Sequence, residues 1–135
     1  MRLSTTLATL ATAGTMLVLD LTWLGVVAHD LYGSALGPLK RPEAYLPAAV
    51  LFYLFYVAVT VAYAVVRADG PLSAARRGAA LGLVVYASYE LTNWAVLRDW
   101  PAWIVPIDVA WGVALTAVSA LAGKLVERRL EGAAG

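Results

Sequence analysis

Apolar residues gather into four long stretches separated by short polar segments, at about 5–28, 45–66, 74–97 and 102–123. Each reaches the roughly 20 residues that a helix needs to cross the hydrocarbon core of a bilayer. Asp20 interrupts the first stretch, Glu90 the third and Asp108 the fourth, while the second carries no charge. Prolines stand at the borders: Pro38, Pro42 and Pro47 before the second stretch, Pro71 before the third and Pro101 before the fourth. Pro106 falls in the first turns of the fourth, where a missing N–H costs least. The pattern predicts an all-α integral membrane four-helix bundle, one four-span domain over residues 1–135. Arg2 before an apolar run resembles the start of a signal peptide, but Thr5, Thr6, Thr9 and Thr12 make a poor core for one. The run also continues past Trp23 to spanning length.

Composition narrows the class. The apolar share is 61% and the charged share 14%, against about 45–50% and about 25% in soluble domains. The net charge of +1 comes with no basic stripe, so nucleic acid is not an expected partner. The absence of cysteine excludes disulfides and thiol chemistry, and His29 is the single histidine. No cofactor and no thiolate or multi-histidine metal centre are therefore expected, and membrane lipid is the first expected contact. Seven basic residues (Arg2, Arg67, Arg76, Arg77, Lys124, Arg128 and Arg129) fall on one side of the predicted topology, and Lys40, Arg41 and Arg98 on the other. That bias predicts cytoplasmic termini in a cell inner (plasma) membrane.

Depth counting brings the acids together. At about 1.5 Å per residue, Asp20 lies about 13 Å below the outer boundary, Glu90 about 12 Å and Asp108 about 10 Å. Three carboxylates from three helices are thus expected at one depth, in one chamber. Ionised together in low dielectric they need compensation: a proton, a bound cation or water. Asp20-Leu-Thr-Trp23 and Asp108-Val-Ala-Trp111 share a D-x-x-W pattern on helices of opposite direction, so each tryptophan is expected near the other helix's aspartate. The third stretch carries Gly78, Gly82, Tyr86, Glu90 and Trp94 at spacing four, with Asn93 beside them. The second offers Phe52, Tyr53, Tyr56, Thr60 and Tyr63 along one side. Trp100 and Trp103 read as an interfacial aromatic belt. His29 and Asp30 read as solvated groups, and the run from Lys124 to Glu131 as a helix end whose basic residues meet lipid headgroups.

The runs GAALGLVVYASYELTNWAVLRDWP and IDVAWG, together with LDLTWLGVV, LYGSALGPL and LPAAVLFYLFYV, closely resemble a bacterial family of small four-span membrane proteins catalogued as a domain of unknown function. The resemblance covers nearly the whole chain. It implies roles for Asp20, Trp23, Tyr32, Tyr53, Tyr56, Tyr86, Tyr89, Glu90, Thr92, Asn93, Trp100, Pro101, Asp108, Trp111 and Gly112. The family usually has aspartate where this chain has Glu90. It implies no activity.

Four functions fit these residues. The first is binding or transport of a small cationic or amphipathic ligand by Asp20, Trp23, Tyr53, Tyr56, Tyr86, Glu90, Asn93, Asp108 and Trp111. Acids would attract the ligand and rings would cover it; transport would imply a homo-oligomer. The second is an intramembrane enzyme acting on a lipid or isoprenoid, with Asp20, Glu90 and Asp108 as general acid and base candidates. The others are a hard-cation site of Asp20, Glu90, Asn93 and Asp108, and a structural or accessory subunit.

Overall fold

A computed structural model describes residues 3–133, apart from the side chain of Pro38. Helix α1 (Leu3–Thr22) runs on into a π-helical turn, Trp23–Val27, and α2 (His29–Leu36) follows. A 3-10 turn at Gly37–Leu39 leads toward α3 (Leu46–Thr60), which also ends in a π turn, Val61–Val65. Helices α4 (Pro71–Val96) and α5 (Val105–Gly132) complete the chain, and no strand occurs among the described residues. Proline sits in the first turn of α3, α4 and α5, where its fixed φ suits the helix and its missing N–H had no partner to lose. Gly37 ends α2 with φ +47°, a conformation that side chains rarely adopt.

Among the described residues, three segments are long and apolar enough to cross a membrane: Leu3–Val27, Leu46–Val65 and Val105–Gly132. Helix α4 is long enough at 26 residues. Its composition falls short, because Arg76, Arg77, Glu90 and Asn93 dilute its apolar run. It packs along α5 more extensively than any other pair of elements pack, and α1 covers a second side of α5. Helix α5 is therefore the axis of the bundle. Its buried stripe runs Asp108, Gly112, Leu115, Thr116, Ser119, Ala120, Gly123, Lys124 and Glu127, the spacing of one helical face.

The two halves of that axis pack differently. In one, glycines let backbones meet. A Cβ on Gly82 would overlap the Gly112 carbonyl, one on Gly112 would overlap the Tyr86 ring, and one on Gly78 would lie 2.5 Å from the Thr116 carbonyl oxygen. Helices surrounded by lipid associate through such close packing, because lipid tails supply no hydrophobic drive. In the other half, the buried groups are carboxylates and rings. Leucine, valine and phenylalanine side chains such as Val18, Leu51, Leu54, Phe55 and Val84 cover the outside.

Candidate functional site: a carboxylate and aromatic network

All three interrupting acids are buried, Asp20 at 6% exposure, Glu90 at 1% and Asp108 at 7%. Each points inward because it shares a stripe with small or buried neighbours: Met16 and Thr12 below Asp20, Gly82 and Gly78 below Glu90, Gly112 and Thr116 below Asp108. Each also accepts hydrogen bonds from aromatic side chains on other elements. The Tyr53 hydroxyl donates to Asp20 Oδ2, and Trp111 Nε1 donates to Asp20 Oδ1 at 3.1 Å. The Tyr32 hydroxyl donates to Asp108 Oδ1. Trp100 Nε1 donates to Glu90 Oε2 at 2.9 Å. The carboxyl groups of Glu90 and Asp108 come within hydrogen-bonding reach of each other.

The repeated D-x-x-W pattern has a geometric counterpart. Trp111 reaches the aspartate of α1 directly. Trp23 reaches the aspartate of α5 through one intermediary, donating to the Tyr32 oxygen at 3.3 Å while Tyr32 donates onward to Asp108. The two indoles stack face to face, with centroids 4.4 Å apart and planes 7° from parallel. A continuous chain therefore runs Asp20, Trp111, Trp23, Tyr32, Asp108, Glu90, Trp100. It crosses α1, α2, α4, α5 and the turn before α5. The π turn begins at Trp23, a departure from α geometry of the kind that often accompanies functional positions. Burial, and then the hydrogen bond to Asp108, push the Tyr32 hydroxyl above the ordinary phenol range. It stays protonated and remains a donor to Asp108.

The carboxylates thus form two poles rather than one cage. Asp20 stands with Tyr53 and Trp111; Glu90 and Asp108 stand together with Tyr32 and Trp100. Among the described residues, no group of three or more Asp, Glu or His side chains is arranged to hold a metal ion. The four-oxygen cation site considered from Asp20, Glu90, Asn93 and Asp108 has no such cage. Asn93 is half-buried, one turn beyond Tyr89 on α4.

The tyrosines of α3 divide by depth. Tyr56 is buried and shares a 2.6 Å hydrogen bond with Thr116 Oγ1, which donates to the Gly112 carbonyl at 2.7 Å. Phe52 stacks near Tyr56, and Tyr56 meets Tyr86 at 6.4 Å between centroids. Tyr63, farther along, is exposed under the Arg77 guanidinium. Beside these rings opens a cleft of about 310 Å³, lined by Phe52, Val85, Tyr86, Tyr89 and Asp108. Phe52 and Tyr89 are 43% and 56% exposed, so the cleft opens sideways between α3 and α4, toward lipid. One carboxylate lies in an otherwise apolar and aromatic wall.

Three sequence expectations change. Trp100 is buried against Glu90 and edge-on to Tyr89, and is not part of an exposed belt with Trp103. The chain leaves α4 at Leu97 in extended conformation and the following turn folds Trp100 back over the helix end. Lys124 does not face headgroups, for it is buried and paired with Glu127 one turn along α5. Trp94 lies 52% exposed, so the stripe of α4 ends at Glu90. Tyr32 and Trp100, the two donors least evident from periodicity, carry a signal only in the resemblance. His29 and Asp30 are exposed.

A family model described as "Predicted membrane protein (DUF2177)" matches residues 5–125. No curated protein and no solved structure gives a significant match.

Proposed function

The chain belongs to DUF2177, a family of membrane proteins of unknown function, and within it we propose that this protein binds a small amphipathic cation from the lipid phase. The observation that carries this reading is the cleft, whose rings from Phe52, Tyr86 and Tyr89 lead to the buried Asp108. Ligand pockets are usually concave and largely apolar, with few polar groups that fix orientation. Here the apolar body of the ligand lies against the rings, its charge meets Asp108, and cation–π contact adds to the attraction. Tyr32 and Glu90 set the orientation and charge of that carboxylate through their direct contacts with it. Asp20, Trp23, Trp111, Tyr53 and Tyr56 form the wall behind the cleft, and Asn93 stands one turn beyond Tyr89 at its edge.

The acidic half faces outward in this reading and both termini lie in the cytoplasm, following the seven basic residues on that side against three. The fourth span is α4, shielded from lipid along its polar stripe by α5. Transport of the ligand would require a second copy, since one bundle of this width encloses no wide path.

The test is titration of the detergent-purified protein with tetraphenylphosphonium by calorimetry. Wild type binds, and Asp108→Asn weakens binding at least tenfold while the thermal transition stays in place. Equal affinity for the uncharged tetraphenylsilane would remove Asp108 from the role of counter-ion and end this reading. A second reading follows from the Glu90–Asp108 contact: two carboxyls in reach of each other suit a general acid and base. A change in cellular lipid profile on overproduction, absent in Glu90→Gln, would favour that enzyme.

A further inference from the structure

Cation binding in the cleft leaves the other half of α5 unused, yet that half is polar inside. Thr12, Thr60, Thr116 and Ser119 are fully buried, and Lys124 and Glu127 form a buried ion pair. Two of these hydroxyls, Thr60 Oγ1 and Ser119 Oγ, have no hydrogen-bond partner in the protein. A buried hydroxyl without a partner is costly, and such groups in native proteins are usually met by internal water.

Their positions align. Helices α3 and α5 both start at the acidic end, so they run parallel. The Tyr56–Thr116 hydrogen bond sets their register. One helical turn onward lie Thr60 on α3, and Ser119 and Ala120 on α5, all three buried. Ser119 shares a flank of α5 with Gly123, four residues on, where an added Cβ would meet Thr12 Oγ1 and the Val65 side chain. Thr60 and Ser119 therefore share one level, and Thr12, which donates to the Ala8 carbonyl at 2.9 Å, lies beside Gly123 about one turn farther on. On one side of that level stand Tyr56 and Tyr53, the latter bonded to Asp20; on the other stands the Lys124–Glu127 pair. The π turn of α3 begins immediately after Thr60, again a departure from α geometry beside unpaired polar groups.

We infer that these side chains, with water bridging Thr60 and Ser119, form a proton path from Asp20 at the acidic half to Glu127 at the opposite end. From Asp108 in the acidic half to Lys124 beside Glu127, α5 rises through sixteen residue steps, about 24 Å. A proton taken up at the Asp20 end enters the file; each hydroxyl or water accepts one proton and releases another. The last is delivered to the Glu127 carboxylate, which passes it to solvent. Nothing is oxidised or reduced, and one proton enters for each that leaves. Lys124 keeps Glu127 in place beside the file. This inference does not rest on cation binding in the cleft, because the hydroxyls it uses lie along the other half of the buried stripe of α5.

The experiment uses the purified full chain in lipid vesicles loaded with the pH indicator pyranine. A potassium gradient with valinomycin drives protons inward, and the rate of internal acidification is read. Wild type acidifies the interior at least tenfold faster than protein-free vesicles. The double variant Thr60→Val with Ser119→Ala falls to the protein-free rate, while Thr60→Ser, which keeps the hydroxyl, retains at least half the wild-type rate. Tetraphenylphosphonium titration of the double variant reports on the cleft separately and is unchanged. If the double variant fails to fold, Ser119→Ala alone removes one atom and slows acidification at least threefold. Wild-type flux no greater than that of empty vesicles, or flux indifferent to loss of both hydroxyls, overturns the proposal.

Discussion

The acid half and the glycine half of the α4–α5 pair lie on the same two helices and are held by opposite means. In the glycine half, Gly78 and Gly82 meet Thr116, Ala117 and Gly112 backbone to backbone, with no room for a Cβ. In the acid half, contact passes through rings and hydrogen bonds, with the Tyr86 ring against Gly112 and Trp100 donating to Glu90. Close packing in lipid has few substitutes, since apolar area gains nothing by leaving acyl chains. Buried carboxylates, by contrast, are weak evidence for stability, since the cost of taking charge out of water offsets much of what their partners return. The glycine half should therefore govern whether the bundle assembles, and the acid half what it does once assembled.

The sharpest way to break this division is to fill the glycine seam. Gly82→Leu places a branched side chain where even a Cβ would overlap the Gly112 carbonyl. Overpacking typically costs about 1–3 kcal/mol, and the direct clash with backbone puts this variant at or above the top of that range. Thermal unfolding followed by circular dichroism in detergent should show a large drop. Ser88→Leu on the exposed face of the same helix should show almost none. Equal melting of the two variants would mean that the seam does not hold the bundle.

The network of the acid half offers a middle effect. Trp111→Phe keeps a ring to stack on Trp23 but removes the N–H that donates to Asp20. A buried carboxylate then has one donor fewer, a loss of about 2 kcal/mol. Unfolding of the variant should lie clearly below wild type, and clearly above Gly82→Leu.

Glu90→Gln sharpens the comparison in the other direction. It keeps the side-chain length and an oxygen for Trp100 Nε1, and removes a charge from beside Asp108. Stability is expected to hold or to rise by up to about 1 kcal/mol, while cation affinity falls at least threefold. A variant that melts as low as Trp111→Phe would place Glu90 among the groups that hold the fold.

How much of this was legible in the chain follows from what periodicity reports. Helix stripes are local, so the inward faces of Asp20, Glu90 and Asp108 could be read from small residues one turn away, as could the glycine seam of α4. The meeting of Trp111 with Asp20 followed from counting rise along antiparallel helices. Trp100 and Tyr32 escape such counting because they sit in a turn and a short helix, where the chain doubles back and no period applies. Lys124 was misread for a related reason. Charge near a helix end ordinarily means headgroups, and only tertiary packing reveals that Glu127, Ala8 and Ala68 share the buried environment at that end. The split into two poles was also beyond the sequence, because depth fixes the level of an acid and not its bearing around the bundle axis.

The smallest effect tests where the two halves join. Tyr56 reaches across to Thr116, the residue below Gly112 on the stripe of α5, at the border between seam and acids. In Tyr56→Phe the ring remains against Phe52 and Tyr86, and Thr116 still donates to the Gly112 carbonyl. No buried donor is stranded, so only the interhelical bond itself is lost. Such bonds average about 0.6 kcal/mol in membrane bundles, and a shift of that size in the unfolding transition is expected. A loss above about 2 kcal/mol, the size set by the Trp111→Phe effect, would mean that Tyr56 anchors both halves at once. The boundary between assembly and function would then run through α3 rather than between two stretches of α5.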